Sequence, residues 1–275
     1  MNTSTAEWLT VERGQAPLVV SIPHAGTQLA HVEPALRSVW LGRMDADWWV
    51  DRLYDFAREL DATVIKTAIS RTVIDVNRDP QSISLYPGMA TTELVPTTTF
   101  DGVPLYAERT PDEAERDLRR KRYFEPYHAA LADELARLQR RHGTVVLYDA
   151  HSIRSRVPRL FDGELPMFNI GTYDGRSCAE ELTSAVVARC AEYSSSYVVN
   201  GRFKGGWITR HYGQPESGVH AIQMELACRA YMDEPEVIDE QTWPPPYSEP
   251  RARAVRRVLR NVLERCLAFA KTRGE

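Results

Sequence analysis

The chain has no basic excess, no closely paired cysteines and no long apolar run. Its formal net charge is −4 over 275 residues, which argues against non-specific nucleic-acid binding, since that needs a basic patch. A local group of arginines still suits an anionic substrate inside an acidic protein. Cys178, Cys190, Cys228 and Cys266 are widely spaced and form no C-x-x-C. A thiolate zinc site is therefore not expected, and the thiols read as reduced and structural in a cytoplasmic protein. No apolar stretch of about 18 residues offers a membrane span, and Met1 to Gln15 lacks the basic-then-apolar pattern of a leader.

Familiar catalytic signatures are also missing. There is no G-x-S-x-G, so Ser152 is not a nucleophile elbow, and no H-E-x-x-H, G-x-G-x-x-G or P-loop occurs. What is present is ordinary in bulk: 43% hydrophobic and 26% charged residues, enough for a substantial core. Length alone allows one large α/β domain or two small ones.

Two stretches share one grammar. Thr144-Val145-Val146-Leu147-Tyr148 reads as a buried strand that ends in Asp149-Ala150-His151-Ser152, and Pro17-Leu18-Val19-Val20-Ser21-Ile22 ends in Pro23-His24-Ala25-Gly26. Open α/β sheets present their chemistry at the carboxyl ends of strands. Two imidazoles delivered there are most of a zinc site. A histidine after a strand is also commonly a hydrogen-bonded structural residue, and both readings stand at this point.

The rest of the chain alternates strand and helix patterns. Apolar residues from Trp49 to Leu60 recur at helical spacing, and Thr63 to Ile69 and Thr72 to Val76 read as short strands. Asp79 to Arg109, rich in Pro, Gly and Thr, predicts a long functional loop. Thr110-Pro111-Asp112-Glu113 is a capping box with proline at the first helical position. It opens a helix to about His142, bent or broken near Pro126. Strands are predicted at Met167 to Thr172, near Val198 and at His220 to Leu226, with helices over Cys178 to Glu192 and Glu249 to Lys271. Gly201 to Gly213 reads as a site loop, and Pro244-Pro245-Pro246 as a stiff spacer. With no repeat and no evident boundary, the expectation is a single α/β domain over 1–275, its mixed, mostly parallel sheet flanked by helices on both faces.

A hydrolytic zinc site takes a third protein ligand and leaves a position for water. Asp45 and Asp47 are the candidates, although both precede a predicted helix, where aspartate also serves as a cap. Asp149 suits a supporting role, orienting an imidazole. Glu225 points opposite Ile222, Met224 and Leu226, either as a general base with a raised pKa or as a solvent-facing residue of an edge strand. Arg71, Arg78, Arg154, Arg202 and Arg210 fall at strand ends or in glycine-rich loops, where guanidinium pairing to carboxylates is favoured.

Taken together, Ser21-Ile22-Pro23-His24-Ala25-Gly26, Asp45-Ala46-Asp47-Trp48, Ser70-Arg71 through Asp75-Val76-Asn77-Arg78, Asp149-Ala150-His151-Ser152-Ile153-Arg154, Asn200-Gly201-Arg202-Phe203-Lys204-Gly205-Gly206 and Thr209-Arg210-His211-Tyr212-Gly213 occur in an order that resembles the N-formylglutamate amidohydrolases, from about Pro17 to Met232. The resemblance implies a three-layer fold related to zinc carboxypeptidases and aspartoacylases, with one catalytic zinc ion. It also implies hydrolysis of N-formyl-L-glutamate to formate and L-glutamate, the last step of a route of histidine degradation. Those relatives use H-x-x-E, whereas Thr27 stands three residues after His24. The acidic ligand must therefore come from elsewhere, with Asp47 first and Asp45 in reserve beside His24 and His151.

By the same resemblance Glu225 is the proton shuttle and Arg71 stabilises the oxyanion. Asn77 with Arg78 holds one substrate carboxylate, and Arg210 or Arg154 the other, with His211 also at the substrate. The expected partner is a small dicarboxylate, without nucleic acid or membrane, and homo-oligomerisation stays open. Another N-acyl acidic amino acid or formyl-amide compound is the alternative substrate.

Overall fold

The computed structural model describes residues 7–85 and 87–274; Met1 to Ala6, part of the stretch read above for a leader, lie outside it. Strands β1 (Leu9–Glu12), β2 (Leu18–Ile22), β3 (Thr63–Thr67), β4 (Val145–Ile153), β5 (Phe168–Gly171), β6 (Tyr197–Val199) and β7 (Val219–Ala227) form one sheet of seven strands in the order β1-β3-β2-β4-β7-β5-β6. The β3-β2-β4-β7 centre is parallel, while β1 joins β3, and β5 joins β7, antiparallel. The sheet is thus mixed and mostly parallel, as expected. Strand β1 had no reading in the sequence. Strand β7 is central, so Glu225 is not on an edge.

Helices cover both faces. One face packs against α1 (Val50–Leu53), α4 (Glu180–Tyr193) and α6 (Glu249–Gly274) through Leu18, Val20, Val146, Tyr148, Ile222 and Met224. The other packs against α3 (Glu125–His142) and α5 (Trp207–Tyr212) through Val19, Val145, Leu147 and Ala221. This alternation is the period-two rule of a strand buried on both sides. Helix α6 buries Val255, Leu259, Val262, Leu263 and Leu267 at helical spacing, each contributing about 1.5–3 kcal/mol relative to exposure. No helix among the described residues is long and apolar enough to cross a membrane. All four cysteines are free and buried.

Four predicted elements differ. Gly201 to Gly213, read as a loop, turns into helix α5 from Trp207 to Tyr212. Trp49 to Leu60 is not one helix. It starts at Trp49 with φ 67° and breaks at Tyr54, whose buried hydroxyl meets Tyr148 at 2.9 Å, before a 3-10 stretch at Asp55–Leu60. Thr72 to Val76 is not a strand, because side chains bend it into turns. Ser70 Oγ accepts from Thr72 N–H at 3.2 Å, and Asp75 Oδ1 accepts from Asn77 N–H at 2.9 Å. The capping box slips by two residues. Asp112 caps α2 (Glu113–Arg119) by accepting from Glu115 N–H at 2.9 Å, a bond of about 1 kcal/mol. Pro126 lies in the first turn of α3, and a π-helical segment at Arg120–Phe124 carries the chain from α2 into it without a break.

Candidate active site

The site grows from the carboxyl ends of β2, β4 and β7. From β2 the chain leads to β3 on one side, and β4 pairs on the other, so connections diverge there and open a crevice. On the α3 side of the sheet the strand residues change from apolar to polar toward that end. In β4, Val145 and Leu147 give way to Asp149 and His151; in β7, Ala221 gives way to Gln223 and Glu225. His151 and Glu225 are register partners on adjacent parallel strands, and so share one face.

His24, in the turn after β2, is buried. Its Nε2–H donates to Asp75 Oδ1 at 2.7 Å, and its Nδ1 is buried without a hydrogen-bond partner, 3.7 Å from Asp47 Oδ2. His151 Nδ1 lies 3.0 Å from the same Asp47 oxygen, and its Nε2 lies 2.9 Å from Asp149 Oδ2 and 2.9 Å from Asn77 Nδ2. Ligand atoms of His24, Asp47 and His151 all fall within 4.8 Å of one another, which makes them the group fit to hold a metal ion among the described residues.

The electrostatics show a carboxylate-rich site that favours positive charge. Burial works against ionisation of Asp47, but hydrogen bonds and charge from His151 and His24 hold its carboxyl below the usual carboxylate range. Burial likewise disfavours protonated His151, yet Asp149 and Asp47 hold the ring well above the ordinary histidine range. A converging N, N, O donor set, with the outer ring nitrogens bonded to carboxylates, is what a divalent ion such as zinc takes.

Asp45 stands apart. Its Oδ2 accepts from Phe100 N–H at 2.7 Å, Arg154 Nη2 lies 3.8 Å from Oδ1, and burial pushes its pKa up to about 6. Neither aspartate caps α1, whose N-cap is Trp49 with no side-chain bond.

Arg71 donates to Asp47 Oδ1 at 3.2 Å and to Asp75 Oδ2 at 2.7 Å, lies over the Phe100 ring, and keeps a buried Nε without a partner. Asn77 is fixed from several sides. Its Oδ1 and backbone oxygen accept from Ile208 and Trp207 at the start of α5, while its Nδ2 donates to Asp149 at 3.0 Å. Ser21 links Asp149 to Tyr127 through bonds of 2.9 Å. Glu225 is buried, and burial pushes its carboxyl up to about 8, the His151 charge opposing and the Asp47 charge assisting.

A small cavity of about 50 Å³ opens on His24, His151 and Glu225, with Arg71, Asn77, Arg78 and Arg202 in its wall and Phe100, Leu160 and Phe203 as apolar lining. Arg154, Arg210 and His211 are not in that wall. Arg154 donates to Asp101 at 2.7 Å, Arg210 to the carbonyls of Gly205 and Leu85 at 2.8 Å, and His211 stacks on Trp207. Asp75, which joins His24, Arg71 and the Asn77 backbone, had no role in the sequence reading; its only signal was its place two residues before Asn77.

The N-formylglutamate amidohydrolase family model matches residues 16–232. This chain belongs to that family. As a member of the N-formylglutamate amidohydrolases it is 47% identical over 270 residues to a Pseudomonas aeruginosa protein named N-formylglutamate deformylase, covering 97% of this chain and 98% of that one. A Pseudomonas putida protein of the same name is 45% identical over 271 residues, covering 96% and 97%. The crystal structure of an N-formylglutamate amidohydrolase from Ralstonia eutropha matches with a TM-score of 0.75 at 25% identity, over 97% of this chain and 98% of that one. A gene product of Agrobacterium tumefaciens shares the fold, with a TM-score of 0.70 at 19% identity over 96% of each chain.

Proposed function

We propose that this protein hydrolyses N-formyl-L-glutamate to formate and L-glutamate, using a zinc ion held by His24, Asp47 and His151. The observation that carries the reading is the convergence of those three groups, with His24 and His151 in the wall of a cavity that also holds a buried carboxyl and several arginines. The relatives named N-formylglutamate deformylase support the choice of substrate. A place at the end of a histidine degradation route and a cytoplasmic setting belong to the same proposal, and rest on the family resemblance and on the unpaired cysteines.

The fit of the metal rests on His24 Nδ1, a buried ring nitrogen with no partner, facing Asp47. When bound, the ion supplies a Lewis acid that polarises the formyl carbonyl and makes a water molecule more acidic. The chain's own groups do the remainder. Glu225, buried in the cavity wall as the register partner of His151, accepts a proton from the attacking water and passes it to the departing amine. Arg71, cationic in the cavity wall, stabilises the negative charge that develops on the formyl oxygen. Asn77 and Arg78 hold a substrate carboxylate close to the ligand cluster. Phe100, Leu160 and Phe203 limit water around the reacting centre.

Formate release from N-formyl-L-glutamate, measured beside acetate release from N-acetyl-L-glutamate, tests this. The expected preference for formyl is about 10–200-fold, the usual worth of one carbon in a fitted pocket. Faster release of acetate would move the assignment to another N-acyl acidic amino acid.

A further inference from the structure

Resting on the proposed function, we propose that Arg202 is the specificity residue for the side-chain carboxylate of the substrate, a role expected above for Arg210 or Arg154. Among the arginines, Arg71, Arg78 and Arg202 are in the cavity wall. Arg71 is held between Asp47 and Asp75 as part of the ligand cluster. Arg78 and Arg202 are therefore the cavity's arginines for a substrate with two carboxylates.

Position tells them apart. Arg78 directly follows Asn77, whose amide lies 2.9 Å from His151, and its Nε is 3.7 Å from Asp75. Arg202 is set on two loops outside the cluster, its Nε donating to the Leu160 carbonyl and its Nη2 to the Ala90 carbonyl, each at 2.7 Å. Those bonds fix the plane of the guanidinium and hold its charge in the cavity wall, where a carboxylate is attracted to it. Leu160 and Phe203 line the cavity beside it and suit methylene groups. In an N-formyl amino diacid the α-carboxylate sits on the carbon that bears the scissile nitrogen, whereas the other carboxylate is set off by methylenes. The arginine joined to the cluster meets the first, and Arg202 meets the second across the apolar stretch.

The test pairs Arg202→Gln with two substrates, N-formyl-L-glutamate and N-formyl-L-glutamine, which keeps the length and loses the charge. For the glutamate compound kcat/KM is expected to fall by at least about 30-fold, mainly through KM, and for the glutamine compound by less than about threefold, because only a paired charge is lost. If the amide is turned over too slowly to follow, its inhibition constant against N-formyl-L-glutamate gives the same ratio. Arg202→Lys, with the charge but not the fork, is expected between wild type and Arg202→Gln, and it carries the test if the glutamine variant folds poorly. Parallel losses on both substrates, or no loss on either, with normal wild-type turnover would overturn the assignment alone. A wild-type enzyme inactive on N-formyl-L-glutamate would overturn the proposed function and this assignment with it.

Discussion

Nε2 of His24 donates to Oδ1 of Asp75 at 2.7 Å, and that bond leaves Nδ1 of the same ring facing Asp47. The tautomer of a ligand histidine is set by the partner of its other nitrogen. Asp75 also accepts from Arg71 and from the Asn77 backbone, while the charges of Arg78, His24 and Arg71 overcome burial and hold it well below the usual carboxylate range. One carboxylate thus aligns the proposed metal ligand His24, the proposed oxyanion arginine and the Asn77 turn.

Asp75→Asn keeps the shape and loses the charge. Zinc affinity is expected to fall about 10–100-fold, the usual effect of removing a ligand's carboxylate partner. Competition against a chelator of known affinity measures it, and an unchanged affinity would show that Asp75 serves the fold alone.

Glu225→Gln addresses the proton transfer. The buried glutamine fits the same space, so metal content should stay at the wild-type level while kcat falls by about 10²–10⁴-fold. Steady-state kinetics with metal analysis on one sample separates the two effects. A variant that kept wild-type kcat would remove Glu225 from the mechanism.

Gly206 is glycine for want of space. A Cβ there would sit 2.5 Å from the Asn77 side chain, which Asp149 and Ile208 hold in place. Gly206→Ala is expected to displace Asn77 and lower kcat/KM by roughly 10–100-fold, since small misplacements at a reacting centre are costly. Wild-type kinetics in this variant would show that the Asn77 position is not critical.

His128 supports the Asn77 turn from beneath, its Nε2–H donating to the Val76 carbonyl at 2.8 Å. Burial lowers its pKa from 6.5 to about 4. Between those values the unfolded chain binds a proton that the folded chain does not, so stability is present in full above pH 6.5 and is lost as pH falls toward 4. The loss is at most roughly 3 kcal/mol. Asp45, pushed up to about 6, acts with the opposite sign, so the comparison is made between variants at each pH. In urea unfolding, His128→Leu should start less stable at neutral pH, because Val76 loses its donor, and show a smaller decline on acidification. An equal decline in both proteins would exclude His128 as its source.

The parts legible in the sequence were those written by local pattern. Apolar runs gave β2, β4 and β7; the motifs at the ends of β2 and β4 named His24 and His151, while Glu225 came from the alternation within β7 and its order in the chain. Asp47 stood ahead of Asp45 there on resemblance alone, because both precede the same short helix; only packing turns Asp47 to the two histidines and Asp45 to the Phe100 backbone. Thr72 to Val76 misled because β-branched residues favour a strand, and no pattern announces that Ser70 and Asp75 will bond the backbone instead. Arg202 and Arg210 sit in one glycine-rich segment with the same chemistry. Helix α5, which begins between them at Trp207, separates one from the cavity wall and leaves the other in it. Partners far apart in the chain, such as Asp75 with His24 or Ser21 with Asp149, become visible only when the sheet brings them together.

The most direct measurement is formate release from N-formyl-L-glutamate by protein stripped of metal and then titrated with zinc, with bound metal quantified. Activity should vanish on stripping and return as about one equivalent of zinc binds, the stoichiometry of a three-ligand catalytic site, and His24→Ala and His151→Ala should neither retain the ion nor recover. Full activity in protein free of metal would contradict the metal-dependent mechanism.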